Sequence, residues 1–220
     1  MLNKFLSYFI PINIYKKKSE ISQNLEVTWN NGQLVLDSKN TNYSYGSLQR
    51  ILRKGLLYIG FERIRGFDNI LVLGVAAGSV IKTIAEEIKF KGQITGVEID
   101  HAAIEIANTY FDLNKIDNCK IVIDDAFEFV LKTKEKYDLI IIDIFQDTVM
   151  PNFLFEDFFI NRVNLLLNIN GFILFNTMTL TKKDFDRNIH YRSRFNEEYS
   201  VRMYPKVEDH NELYTIKKLR

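Results

Sequence analysis

Residues 70–79, ILVLGVAAGS, decide the fold. A run of branched apolar residues stops at Gly74, and a second glycine, Gly78, follows four positions later. Such a run closed by glycine reads as a short buried strand. Beyond it Val80, Ile81, Ile84, Ala85 and Ile88 recur at helical spacing, with Lys82, Glu86 and Glu87 between them. The unit is strand, turn of small residues, helix. In an open parallel sheet that turn lies at the carboxyl edge, where helix N-termini present free amides to ligands. Glycine also serves strand-to-helix turns through its dihedral freedom alone, so the loop by itself leaves cradle and plain turn open.

The alternation continues outward. QITGVEI predicts a second strand, followed by a helix striped by Ala103, Ile104, Ala107, Tyr110 and Phe111. CKIVI is a third strand, AFEFVLKT a short helix and YDLIIID a fourth strand. Phe155, Phe158, Phe159, Val163 and Leu166 mark a helix that Asn170-Gly171 should end, and FILFN is a fifth strand. Strands alternating with helices give a parallel sheet, and near-continuous apolar strands mean that both faces are covered. The expected fold class is α/β, a doubly wound, mostly parallel sheet.

At the C-terminal end YSVRMYP and ELYTIKK flank VEDHN and should pair as a hairpin that sets an antiparallel strand against the sheet. At the other end LEVTW and QLVLD alternate in polarity around Asn31-Gly32, a dipeptide favoured in two-residue primed turns, so residues 25–37 should form a small hairpin. A helix through Leu48, Ile51, Leu52 and Leu56 leads into the main body. The division expected is an N-terminal arm and hairpin over residues 1–45 and a Rossmann-like domain over residues 46–220.

Composition narrows the partners. The 220 residues suffice for one ordinary core, and 29 Lys plus Arg against 28 Asp plus Glu provide no basic field for nucleic acid. The apolar start of the chain is broken by Pro11 and Asn13 and followed by Lys16, Lys17 and Lys18 where a signal peptide would need small residues. No run approaches the roughly 20 apolar residues of a membrane span. Cytoplasmic location is therefore expected, with a homodimer left open. Cys119 cannot form an internal disulfide and is expected to be a buried, inert thiol.

Chemistry-bearing residues cluster at the predicted strand ends. Glu98 falls 20 residues after Gly78, where an acid accepts hydrogen bonds from ribose hydroxyls. Asp124 and Asp125 end the third strand; one can meet an adenine amino group while the other caps the helix that begins at Ala126. The loop departs from the dinucleotide fingerprint, with Ala76 in place of the middle glycine and Ser79 at the third position, which disfavours a nicotinamide oxidoreductase. His101, His190 and His210 have no metal-ligand spacing, so no metal is expected, and no Ser-His-Asp or Cys-His order suggests covalent catalysis.

GVAAG, VEID, DDAFEF, KYDLIIID, LFEDFF and NGFILF occur in the order and spacing of the spermidine synthase-like branch of the class I S-adenosylmethionine-dependent methyltransferase superfamily. The resemblance covers roughly residues 25–176, with GQLVLD similar to the small N-terminal β-sheet of those enzymes. It implies that Gly74, Ala76, Gly78 and Glu98 hold the methionine and ribose parts of S-adenosylmethionine or its decarboxylated form. It further implies that Asp125 contacts adenine and that Asp143, ending the fourth strand, helps to deprotonate an attacking amine.

The chain departs from that branch where an acceptor would sit. Ala77 replaces an acidic residue of the glycine loop, Ile144-Phe145-Gln146 separate Asp143 from Asp147, no proline follows Asp147, and Asn42-Tyr43-Ser44-Tyr45-Gly46 keep only the tyrosine of an acidic, Tyr-His segment. Tyr45, Gln146 and Asp147 are the candidate acceptor residues, with Phe145 available for cation-π contact. Fewer carboxylates make a weaker home for a diamine. The expected function is a transferase moving a group, methyl ahead of aminopropyl, from the sulfonium donor to a small-molecule acceptor. Polyamine synthesis and a non-catalytic nucleoside-binding protein are the alternatives. Residues 181–196, with Arg187, Arg192 and Arg194, are expected to form a solvated helix rather than a cover over the site.

Overall fold

The computed structural model describes residues 2–38, 42–146 and 149–220. After a single turn of helix, α1 (Leu2–Leu6), a small antiparallel sheet contains β1 (Ile12–Ser19), β2 (Gln23–Asn30), β3 (Gln33–Asp37) and β4 (Asn42–Ser44) in that spatial order. The predicted hairpin is β2–β3, and Asn31 and Gly32 both take positive φ, 48° and 75°, as a primed turn requires. The sequence predicts an arm, not a strand, at β1. None of its side chains is buried, so it lacks the apolar face that marks a strand.

Helix α2 (Gly46–Ile59) and the short α3 (Phe61–Arg65) lead to the main sheet. Its strands are β5 (Asn69–Leu73), β6 (Gln93–Glu98), β7 (Cys119–Ile123), β8 (Tyr137–Ile142), β9 (Leu167–Met178), β10 (Tyr199–Val207) and β11 (Asn211–Lys218). They lie in the order β10-β11-β9-β8-β5-β6-β7. β9, β8, β5, β6 and β7 pair in parallel, and β11 runs against β9 as expected.

The sheet is covered on both faces. Ile70 and Val72 of β5 point into one core with Ile51, Leu52 and Leu56 of α2, while Leu71 and Leu73 point into the other. That second core is filled by Phe159 and Val163 of α7 (Asp157–Leu166) and by Tyr191 of α8 (Lys182–Arg192). Alternation along one strand thus feeds two apolar layers, which is why the strand reads as a continuous apolar run. Leu25, Val27 and Leu36 of the small sheet join the α2 layer.

Two elements depart from the reading. The helix after β5 starts as α4 (Ser79–Lys82) and widens into a π-helical turn at Thr83–Glu87, where the Ile88 amide reaches back five residues to the Thr83 carbonyl. Asn170-Gly171 does not end α7, which stops at Leu166; the pair forms a bulge inside β9, with Asn170 at φ 65°. A β-carbon on Gly171 would stand 2.9 Å from the Asp138 carbonyl oxygen. Glycine lets the bulge lie against β8.

Candidate active site

The parallel strands deliver their C-terminal residues to one edge, and a cavity of about 380 Å³ opens there. The β5–α4 turn supplies Gly74 and Ala76, β6 supplies Val97 and Glu98, the end of β7 supplies Asp124 and Asp125, and the end of β8 supplies Asp143 to Gln146. Asn176 and Met178 come from β9, Asn211 from β11, Leu48 and Ile51 from α2, and Ile21 from the β1–β2 turn.

The question posed by residues 70–79 has a divided answer. The turn is an anchor for Glu98: both Val75 and Ala76 donate their amides to one Glu98 carboxylate oxygen, at 3.0 and 2.8 Å, and the Asp100 amide donates to the other at 2.9 Å. Burial raises the Glu98 pKa, and these three backbone donors oppose the rise. Gly74 (φ 88°) is demanded by protein rather than ligand, because a β-carbon there would meet the Asp143 carbonyl oxygen at 2.1 Å. Gly78 does not line the cavity; it starts α4 at φ 79° against Leu113.

Of the paired aspartates, Asp125 caps α6 (Ala126–Lys132) by accepting from the Phe127 amide at 2.7 Å. Asp124 accepts from the Asp125 amide at 2.9 Å and lies 3.9 Å from the Lys132 ammonium. Both border the cavity.

Asp143 stands where β8 ends, next to Asn176 of β9, whose side-chain amide donates to Asp143 Oδ1 at 2.8 Å. Burial pushes its carboxyl up to about 6; the Asn176 hydrogen bond opposes this and the negative Glu98 reinforces it. Gln146 also faces the cavity, whereas Asp147 lies outside the described residues. Tyr45 is not at this site. It stacks on Phe111 with ring centroids 4.6 Å apart and borders a second cleft with Trp29 and Lys82. Tyr45 has positive φ, 67°, and its ring packs on Phe111, just beyond α5 (His101–Tyr110).

Several side chains at or beside the cavity are not singled out by the sequence. Asp100 caps α5 through the Ala102 amide and accepts from the Ser19 and Ser22 hydroxyls at 2.5 and 2.8 Å, which ties the β1–β2 turn and Ile21 to the cavity. Asn176 was detectable as a polar residue ending an apolar strand; Asn211 and Met178 required the β9–β11 register. His101 sits at the start of α5, 3.3 Å from Glu105. Residues 182–192 do form a helix, but Tyr191 is buried and the Arg187 guanidinium lies 4.2 Å over Phe155, so the helix is packed on one side rather than solvated throughout. Cys119 is half-buried, and burial raises its thiol to about 11. Among the described residues no group of three or more His, Cys, Asp or Glu side chains could hold a metal ion, and no helix is long and apolar enough to cross a membrane.

A family profile described as "Spermine/spermidine synthase domain" matches residues 51–216. The chain belongs to this family. A polyamine aminopropyltransferase of Vibrio vulnificus is 29% identical over 139 residues, which is 62% of this chain and 46% of the relative. The chain spans about half the length of such curated relatives. The spermidine synthase structure from Thermotoga maritima superposes with a TM-score of 0.70 at 20% identity, covering 94% of this chain and 72% of that one. Human methyltransferase-like protein 13, in complex with SAH, superposes with a TM-score of 0.65 at 20% identity, covering 80% and 83% of the two chains. That likeness shows a shared Rossmann-like methyltransferase fold. The expectation of methyl transfer ahead of aminopropyl transfer is not supported, since the relatives of this family carry the aminopropyl name.

Proposed function

We propose that this chain carries the donor-binding and catalytic core of an aminopropyltransferase. An acceptor amine attacks the methylene carbon beside the sulfonium of decarboxylated S-adenosylmethionine. The carbon–sulfur bond breaks with its electron pair passing to sulfur, which leaves a neutral thioether nucleoside. The proton lost by the attacking nitrogen goes to Asp143. Holding nucleophile and carbon in line supplies most of the rate, and a base of matched pKa supplies the rest.

One observation carries the reading: among the described residues that line the cavity, Glu98, Asp124, Asp125 and Asp143 are charged and no lysine or arginine appears. The decarboxylated donor carries a sulfonium and an ammonium, both attracted by such a field. Intact S-adenosylmethionine would bring a carboxylate into it without a cationic partner, which is costly in a partly desolvated site. Glu98 then takes the ribose hydroxyls on its remaining lone pairs, Asp124 and Asp125 the adenine edge, and Gln146 the acceptor. A carboxyl at about 6 is ionised at neutral pH yet basic enough to take a proton.

The test is incubation of the purified protein with decarboxylated S-adenosylmethionine and a panel of monoamines and diamines, followed by mass spectrometry. An acceptor heavier by one aminopropyl group supports the reading. Methylated acceptor formed from intact S-adenosylmethionine, with no aminopropyl product from the decarboxylated donor, would overturn it.

A further inference from the structure

Behind Asp143 lies a directional chain of two side-chain amides. β9 is held between β8 and β11, and the parallel register that pairs Ile142 with Phe175 sets Asp143 beside Asn176. The antiparallel register that pairs Met178 with Asn211 brings Asn211 to the same edge. Asn211 Nδ2 donates to Asn176 Oδ1 at 2.9 Å, and Asn176 Nδ2 donates to Asp143 Oδ1 at 2.8 Å. Asn176 is fully buried and Asn211 nearly so, at 0% and 9% exposure, so water is a poor substitute for either contact.

An asparagine amide has one donor end and one acceptor end of nearly equal size. Turned over, Asn176 would set its carbonyl oxygen against the Asp143 carboxylate and its amino group against the Asn211 amino group. Both contacts would be repulsive, so the Asn211 donor and the Asp143 carboxylate together exclude this arrangement. Asn211 is itself fixed from outside the site. Thr179 donates its amide to the His210 carbonyl at 2.8 Å, and Glu208 is gripped by Arg50 at 2.8 Å and Lys54 at 3.1 Å on α2.

We propose that Asn211 is a positioning residue: acting through Asn176, it fixes the donor end of that amide on Asp143 Oδ1 and so leaves Oδ2 to receive the acceptor's proton. The proposal rests on the reading of Asp143 as the base. Three other acidic groups border the same cavity, Glu98 from β6 and Asp124 and Asp125 beyond β7. Glu98 raises the Asp143 carboxyl, and Asn176 is the group that lowers it. The cavity residues brought by α2, β9 and β11 are uncharged.

The decisive experiment compares Asn211→Leu, which removes the donor, with Asn211→Gln, which keeps one. The ligand-free proteins are titrated by carbon NMR at the Asp143 carboxyl, assigned by its loss in Asp143→Asn. The wild-type midpoint is expected near 6. Asn211→Leu removes the amide–amide bond that holds Asn176 in place and so weakens the Asn176 hydrogen bond to the carboxylate, which should move the midpoint up by roughly half to one pH unit. Asn211→Gln should stay closer to wild type, and the acid limb of kcat/KM should move with the NMR midpoint. A midpoint in folded Asn211→Leu within a few tenths of wild type overturns the proposal. Should leucine disturb the fold, Asn211→Ser, too short to reach Asn176, replaces it in the same comparison and must show the same upward shift. An NMR shift without any acid limb in wild-type kinetics would uphold the amide chain while removing Asp143 as the base, so the two readings fail separately.

Discussion

Replacing Asp143 with asparagine should make the protein more stable and far less active. The carboxyl sits at about 6, against about 3.8 in an open chain. At about 1.4 kcal/mol per pKa unit, ionising it within the fold costs on the order of 3 kcal/mol. The sign follows from proton uptake: between those two values the folded state binds the proton more tightly, so stability falls as pH rises through that window and the deficit is complete above about 6. Asp143→Asn removes the charge while its carbonyl can still accept from Asn176. Its melting temperature should match wild type near pH 4 and exceed it at pH 8, by roughly 5 °C or more for a chain of this size. Loss of a general base should lower kcat by about 10²–10⁴-fold, while donor affinity, measured by calorimetry, should stay within about threefold. Wild-type kcat/KM should fall tenfold per pH unit below about 6 as the base takes up a proton, and the variant should lose this limb. A stabilised variant whose kcat stays within about threefold of wild type would refute the reasoning, because the carboxylate would then be a strained structural group.

Two further substitutions probe the donor residue Glu98 and the packing beneath it. Glu98→Gln leaves an amide that cannot accept from all three backbone donors at both ends, so the affinity for decarboxylated S-adenosylmethionine should weaken by roughly 10–100-fold in calorimetry, consistent with lost charge-assisted hydrogen bonds; unchanged affinity would remove Glu98 from the site. Gly74→Ala forces a β-carbon to 2.1 Å from the Asp143 carbonyl oxygen at φ 88°. Thermal melts should show a loss of about 2 kcal/mol or more, and a stability equal to wild type would contradict the close approach of β5 and β8.

Much of the fold was legible because a doubly covered parallel sheet writes itself as short apolar runs between helical stripes. The runs at β5, β6 and β8 fall where the residues placed them. Elements whose signal depends on distant partners were not. β1 has no buried face of its own, and the Asn170-Gly171 bulge in β9 has the local chemistry of a helix stop. At the site, Glu98 and Asp143 were visible because each acid follows an apolar strand and so reaches the carboxyl edge. The stacking of Tyr45 on Phe111 was not legible because its backbone takes a positive φ that sequence pattern does not encode. Asn211 stayed hidden because its role exists only through the β9–β11 register.

The central claim is that the carboxyl edge around Glu98 and Asp143 binds a sulfonium nucleoside without a carboxylate. Parallel calorimetric titrations of the folded protein with decarboxylated S-adenosylmethionine, intact S-adenosylmethionine and NAD test it most directly. The account predicts tightest binding of the decarboxylated form, weaker binding of the intact form and none of NAD. Equal or tighter binding of intact S-adenosylmethionine would contradict the electrostatic argument, and failure of both sulfonium nucleosides to bind would contradict the site itself.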